Sequence, residues 1–256
     1  MIGKPVPALR ASAFGEALVR RAQLAALPAP EEAGGPRLAL FLAEALGFAE
    51  PLARALRPPM PLAAAAQPRV VMLLPGFGTH PLRMRYMARK LEEAGHVVKR
   101  WGLGFNLGPT EDTLDLLEER LQQIHRTYGQ PVVLVGWSLG GIFARELAKR
   151  APQQVAKVIS MGSPFSGTPY GNNVWRLYHL ITGHRVDSPP IKARLADKPP
   201  VPTVALWSPR DGIVSPRCAA GLPGERDRAV ALRCSHLGFS NSPQAIRAVL
   251  EELERR

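Results

Sequence analysis

The eight residues Leu134 to Gly141, LVGWSLGG, decide how the rest of the chain is read. They continue the β-branched run that starts at Val132 and lead into IFARELAKRAP, so an apolar strand turns sharply into an amphipathic helix. Ser138 occupies the turn, with Gly136 and Gly140 on either side. A serine on so tight a bend projects its Oγ above the carboxyl edge of a sheet, while side chains at 136 and 140 would collide with neighbouring elements. The helix starting behind Ser138 adds a favourable potential for developing negative charge. The pentapeptide by itself also fits an inert glycine-rich bend. Partners elsewhere in the chain must decide between the two.

Outward from this turn, the sequence repeats one rhythm from Arg69 onward. RVVMLLPGFG, HVVKRWGLGF, PVVLVGWS, VAKVISMGSPF, VPTVALWSP and AVALRCSH each read as a strand. Helical stretches separate several of them: PLRMRYMARKLEEAGH, TEDTLDLLEERLQQIHRTYG and LGGIFARELAKRAP, with SPQAIRAVLEELERR last. Strands alternating with helices predict an α/β architecture of about six strands, mainly parallel and covered on both faces. Between the fourth and fifth strands an insertion over about 165–200 carries the apolar-aromatic helix NNVWRLYHLITG. Residues 1–66 have a different composition, rich in Ala, Leu, Pro and Arg. They read as two or three helices forming an N-terminal extension packed on the 67–256 domain, with a membrane-surface amphipathic segment as the alternative.

A serine hydroxyl is a poor nucleophile without a base in hydrogen-bond reach and an acid that orients the base. WSPRDGIVS places Asp211 in the turn after the fifth strand, and LRCSHLGFS places His236 in the loop after the sixth. The order Ser, acid, His, each just beyond a strand, is one that the converging strand ends of an open α/β sheet can bring together. Asp187 and Asp197 are weaker substitutes for the acid. His96, His125, His179 and His184 compete less well for the base, because they fall in helices, a helix–strand turn or the insertion. Two backbone N–H groups should face the developing oxyanion, those of Leu139 and of Phe77 in LPGFGTH. His80 lies near that loop and is placed to touch substrate. GLGFNLG (102–108) has the wrong glycine spacing and no acid about 20 residues on, so it is read as a loop bordering the cleft rather than a nucleotide site.

LPGFG, GWSLGG, MGSPFSG, SPRDGIV and SHLGF together resemble the α/β-hydrolase superfamily, and within it compact bacterial lipase/esterase-like members; the resemblance covers roughly residues 69–256. It implies an α/β-hydrolase fold and hydrolysis of carboxylic esters through an acyl-enzyme, with no metal or organic cofactor. Ser138 would be the nucleophile, Asp211 the acid, His236 the base, and Phe77 and Leu139 the oxyanion donors. Trp137 stands where many lipases have His, and together with Trp175 of the insertion it is a candidate for the substrate pocket. An acyltransferase using the same three residues is one alternative. A non-catalytic lipid- or membrane-binding protein on the same scaffold is another.

Composition narrows the setting. The formal charge is +12 and mostly arginine, which favours anionic surfaces, whether lipid headgroups of a membrane, nucleic acid or acidic substrates; an acyl ester or lipid substrate is what the resemblance implies. The basic residues are scattered rather than clustered, so no specific nucleic-acid footprint is expected. Cys218 and Cys234 cannot build a metal site alone; free thiols are the default, with a disulfide between the acid and base loops as the alternative. Glu16, Arg20 and Arg21 interrupt any signal-peptide core, and no window is apolar enough to span a bilayer. The expectation is a cytoplasmic protein, with peripheral membrane association left open.

Overall fold

A computed structural model describes residues 8–48, 60–191 and 193–255. Its centre is a six-stranded sheet: β1 (Val70–Leu74), β2 (Val97–Arg100), β3 (Val132–Trp137), β4 (Val155–Met161), β5 (Thr203–Trp207) and β6 (Arg228–Ala231). The strands lie in the order β2-β1-β3-β4-β5-β6, and every pair is parallel. Helices α3 (Arg85–Glu93), α4 (Thr113–Tyr128), α5 (Leu139–Arg150) and α8 (Pro243–Glu254) cover it.

The two cores follow from strand alternation, since successive side chains point to opposite faces. Val71, Leu73, Val133, Val135 and Trp137 face Met87 and Leu91 of α3 and Ile246, Val249 and Leu253 of α8. Val70, Met72, Leu74, Val132 and Leu134 face Leu114, Leu117 and Leu121 of α4 and Phe143 and Leu147 of α5. Each such side chain withdrawn from water contributes about 1.5–3 kcal/mol. Truncating one, Leu117→Ala for example, would cost about 2–5 kcal/mol. Local signals set the helix ends. Gly129 takes the left-handed conformation that closes α4 (φ 64°), and Ser242 accepts a hydrogen bond from the Ala245 N–H at the start of α8.

The chain reverses its direction of travel across the sheet between β1 and β3, which are adjacent while their neighbours lie on opposite sides. At such a switch point the carboxyl ends of the strands open a crevice. The loop after β1 and the turn after β3, which contains Ser138, both border it.

Ahead of the sheet run α1 (Ala8–Ala25), α2 (Leu38–Ala43) and a 3-10 turn, Glu44–Phe48. The helical reading of 49–56 lies outside the described residues. α1 packs on α6 (Trp175–Thr182), the helix of the insertion. His179, fully buried in α6, links the two: Nδ1 donates to the Leu24 carbonyl at 3.0 Å while Nε2 accepts the Val186 N–H at 3.0 Å. Two details differ from the sequence reading. β6 stops at Ala231, five residues short of His236, because the chain leaves the sheet edge there to form the loop. A five-residue helix, α7 (Pro216–Ala220), lies between β5 and β6 and starts on the proline that its fixed φ favours at a first helical position.

Candidate active site

Ser138 has φ 54° and ψ −123°, and among the described residues it alone of the non-glycines has a positive φ. Such a conformation costs of order 1–3 kcal/mol, so its surroundings must impose it. The Ser138 N–H donates to the Met161 carbonyl at 2.8 Å, and its own carbonyl accepts the Gly141 N–H at 2.9 Å. The turn is also sterically closed. A Cβ at Gly136 would lie 2.3 Å from the Gly140 carbonyl oxygen, and one at Gly140 would lie 2.3 Å from that of Leu74. The three glycine-or-strain positions thus enforce one another.

Asp211 and His236 form a buried pair. His236 Nδ1 lies 2.8 Å from Asp211 Oδ2, with both side chains almost fully shielded. The other oxygen, Oδ1, accepts the N–H groups of Ile213 and Val214, each at 2.8 Å, which fixes the plane of the carboxylate. With both Asp211 oxygens accepting, the network assigns the imidazole proton to Nδ1 and leaves the Nε2 lone pair free. Trp137 donates its indole N–H to the His236 carbonyl at 3.1 Å, and the two rings lie 5.8 Å apart. The elbow and the loop of His236 are therefore joined directly. Ser138 Oγ itself makes no hydrogen bond with any described residue.

The loop after β1 reaches the same point, since a Cβ on Gly76 would lie 3.2 Å from Ser138 Cβ. The N–H groups of Phe77 and Leu139 have no acceptor among the described residues. Asn106 holds this loop in place. Fully buried, it donates its amide to the Pro75 carbonyl at 2.8 Å, while its backbone exchanges hydrogen bonds with Gly78 and Thr79. Sequence reasoning placed 102–108 beside the cleft but did not single out Asn106; the signal was a lone amide between the two apolar residues Phe105 and Leu107.

A cavity of about 470 Å³ begins at Ser138, Phe77 and Leu139 and runs under the insertion, lined by Ile142, Phe165, Tyr178 and Val186 among others. Burial pushes the Tyr178 phenol up to about 12, so it stays protonated at neutral pH. Asp187 also reaches the cavity. It is bound by Arg185 (2.7 Å) and the Tyr170 hydroxyl (2.9 Å), and Arg185 holds its carboxyl below the usual carboxylate range.

The other sequence candidates lie elsewhere. Trp137 is buried in the core under His236 rather than on the cavity wall, because its strand position points it to the α3/α8 face. Trp175 packs edge-on against Tyr170 and His179, and the cavity-facing residues beside it are Val174 and Tyr178. His80 accepts the Leu82 N–H with Nδ1 and caps a 3-10 turn, its ring 5.0 Å from Phe105. Cys218 and Cys234 are both free and buried. Among the described residues no group of His, Cys, Asp and Glu is arranged to hold a metal ion, and no helix is long and apolar enough to cross a membrane.

The sequence profile of the α/β hydrolase fold family matches residues 69–212, more than half of the chain and the part carrying β1, Ser138 and Asp211. The protein belongs to that family. Among solved structures, the monoacylglycerol lipase of Paleococcus ferrophilus superposes with a TM-score of 0.53 at 16% identity, over 75% of this chain and 96% of that one. The 2-hydroxy-6-oxo-6-phenylhexa-2,4-dienoate hydrolase of Rhodococcus sp. strain RHA1 gives 0.55 at 16%, over 75% and 92%. Bacillus licheniformis lipase BlEst2 in its propeptide form gives 0.60 at 16%, over 75% of this chain and 52% of that one. At these identities the likeness is one of fold. No curated protein matches by sequence.

Proposed function

We propose that the protein is a serine hydrolase that cleaves carboxylic esters bearing an apolar acyl group. The observation that carries this reading is the buried His236–Asp211 hydrogen bond, 2.8 Å long, on a loop tied by Trp137 to the strained turn of Ser138. In this reading the Nε2 of His236 takes the Ser138 proton as Oγ attacks the ester carbonyl. The N–H groups of Phe77 and Leu139 receive the oxyanion, and the protonated imidazole gives its proton to the departing alcohol. Water, deprotonated by the same nitrogen, then releases the acid and restores Ser138. Asp211 keeps the imidazole in the required tautomer and stabilises its charged form. In this reading the Ser138–His236 hydrogen bond forms when substrate enters, since catalytic hydrogen bonds are commonly long or poorly aligned before binding.

Support for the substrate class comes from the cavity. At about 470 Å³ it lies within the roughly 300–1,000 Å³ of small-molecule sites, and its walls are mainly aliphatic and aromatic. Lipases among the structures of like fold agree with an acyl ester. The test is Ser138→Ala. It should abolish hydrolysis of p-nitrophenyl esters and labelling by a fluorophosphonate probe, and undiminished turnover by that variant would overturn the assignment.

A further inference from the structure

The segment before the sheet places one acidic side chain where none is needed for packing. Glu44 opens the 3-10 turn after α2 and is only 4% exposed. Its Oε1 accepts the N–H of Gly212 at 2.9 Å and the N–H of His236 at 2.6 Å, and its Oε2 accepts the N–H of Leu237 at 2.9 Å. One carboxylate therefore grips the residue after Asp211 and the backbone of His236 itself. The two loops that meet in the His236–Asp211 hydrogen bond are clamped a second time through their main chains.

The fit is close in both directions. A Cβ at Gly212 would lie 2.2 Å from the Leu40 carbonyl oxygen, and a Cβ at Gly47 would lie 2.8 Å from Leu237 Cβ. Glycine at both places lets the Leu40–Gly47 segment seat on the loops. Apolar burial contributes little there: in α2 only Leu40 and Phe41 are even half-buried among its large side chains, and Leu38, Leu42 and Leu46 are exposed. The attachments are polar instead. Besides Glu44 they include Arg83 Nη2 on the Gly47 carbonyl (3.2 Å) and Asn173 Nδ2, which joins the Pro36 carbonyl (3.0 Å) to that of Gly212 (2.8 Å). Withdrawing a carboxylate from water is a poor way to gain stability. It is a good way to fix the geometry of N–H groups around a reacting centre, because three acceptor contacts leave the two loops little freedom.

We infer that Glu44 is a positioning residue for His236 and Asp211, so that the N-terminal segment is a working part of the site. The inference rests on the Ser138–His236–Asp211 reading above. Its action is on orientation, and the cavity that binds the acyl group has no residue from this segment. Loss of Glu44 therefore acts on kcat and leaves KM nearly unchanged.

The experiment compares wild type, Glu44→Gln, Glu44→Asp and Glu44→Ala on a soluble p-nitrophenyl ester, with active sites counted by end-point titration with a fluorophosphonate. Glu44→Gln should lower kcat per titrated site by about tenfold to a hundredfold with KM within about twofold, the scale expected when a catalytic group is misplaced by about 1 Å. Glu44→Asp, which keeps both acceptor oxygens, should recover part of the loss. Where Glu44→Ala does not fold, Glu44→Gln carries the test. Wild-type kcat per titrated site in Glu44→Gln, whatever its melting temperature, would make Glu44 a structural anchor and overturn the inference alone. A wild-type protein that neither hydrolyses ester nor takes the probe would overturn the Ser138–His236–Asp211 reading first, and this inference with it.

Discussion

Trp137 donates its indole N–H to the carbonyl oxygen of His236 across 3.1 Å, joining the residue before Ser138 to the loop that carries the imidazole. Both groups are buried, and Trp137 is 1% exposed. Replacing the indole by Phe keeps an aromatic ring but removes one of the two donors to that buried carbonyl, which still accepts the Phe239 N–H at 3.3 Å, a loss of about 0.5–1.5 kcal/mol. Trp137→Phe should therefore melt a few degrees lower, at about 2–4 °C per kcal/mol for a chain of this size. A melting curve superimposable on that of wild type would contradict the bond's structural weight.

Asp211→Asn tests the tautomer. The amide retains an oxygen for the Ile213 and Val214 N–H groups, so the loop persists. Its NH2 faces His236 Nδ1 and moves the ring proton to Nε2, which then cannot accept the proton of Ser138. The expected fall in kcat is on the order of 10⁴-fold with the melting temperature little changed. Steady-state kinetics on the folded variant give the answer, and a loss under tenfold would count against the tautomer argument.

Val186→Trp tests the cavity as the acyl site, since Val186 lines it from the insertion, well along the chain from Ser138. The larger ring fills space that a long acyl chain needs and a short one does not. Activity on an octanoyl or longer p-nitrophenyl ester should fall at least tenfold, while acetate turnover stays within about threefold. Equal losses on both esters would mean that the acyl group lies elsewhere.

The two cysteines should behave as inert core groups. Burial pushes the Cys234 thiol up to about 12, with Asp211 acting in the same direction, and burial raises Cys218 as well. Because the thiolate is the nucleophile, iodoacetamide at pH 8 should leave both unmodified in the folded protein and alkylate both after denaturation. Rapid labelling of native protein would show that one of them is exposed in solution.

The centre of the sheet is legible because its strands are short runs of β-branched and aliphatic residues bounded by punctuating glycines or prolines, as in RVVMLLPG and PVVLVGWS. Ser138, Asp211 and His236 could be singled out because each follows a strand. That spacing is local and survives in one dimension. Trp137 shows where such reasoning stops: its neighbour was plain, but whether its ring turned to the cavity or the core depended on which sheet face its strand position met. β6 ends earlier than its hydropathy suggests for a related reason, and α7, five residues long, is too short to show a helical period. At the sheet edge only one neighbour constrains a strand, so hydropathy alone does not mark where pairing ends. The role of Glu44 is not legible in the sequence. The residue is a lone acid in the otherwise apolar run LALFLAEALGF, and its partners are backbone N–H groups, which carry no residue identity.

Glu44 and His236 are 192 positions apart in the chain. On a ribosome adding about 5–20 residues per second, the carboxylate emerges roughly 10–40 s before the amides that receive it exist. Through that interval the β1–β4 part of the sheet can already form, and Arg83 and Asn173 can already hold the carbonyls of Gly47 and Pro36, while the Glu44 carboxylate still lacks the N–H groups of Gly212, His236 and Leu237. Assembly of the clamp is thus a late event in the biogenesis of the molecule. A chain halted after β5 would hold the Ser138 turn and Asp211 on a nearly finished sheet with Glu44 still facing water. On this architecture the clamp closes only when the segment bearing His236 joins the sheet.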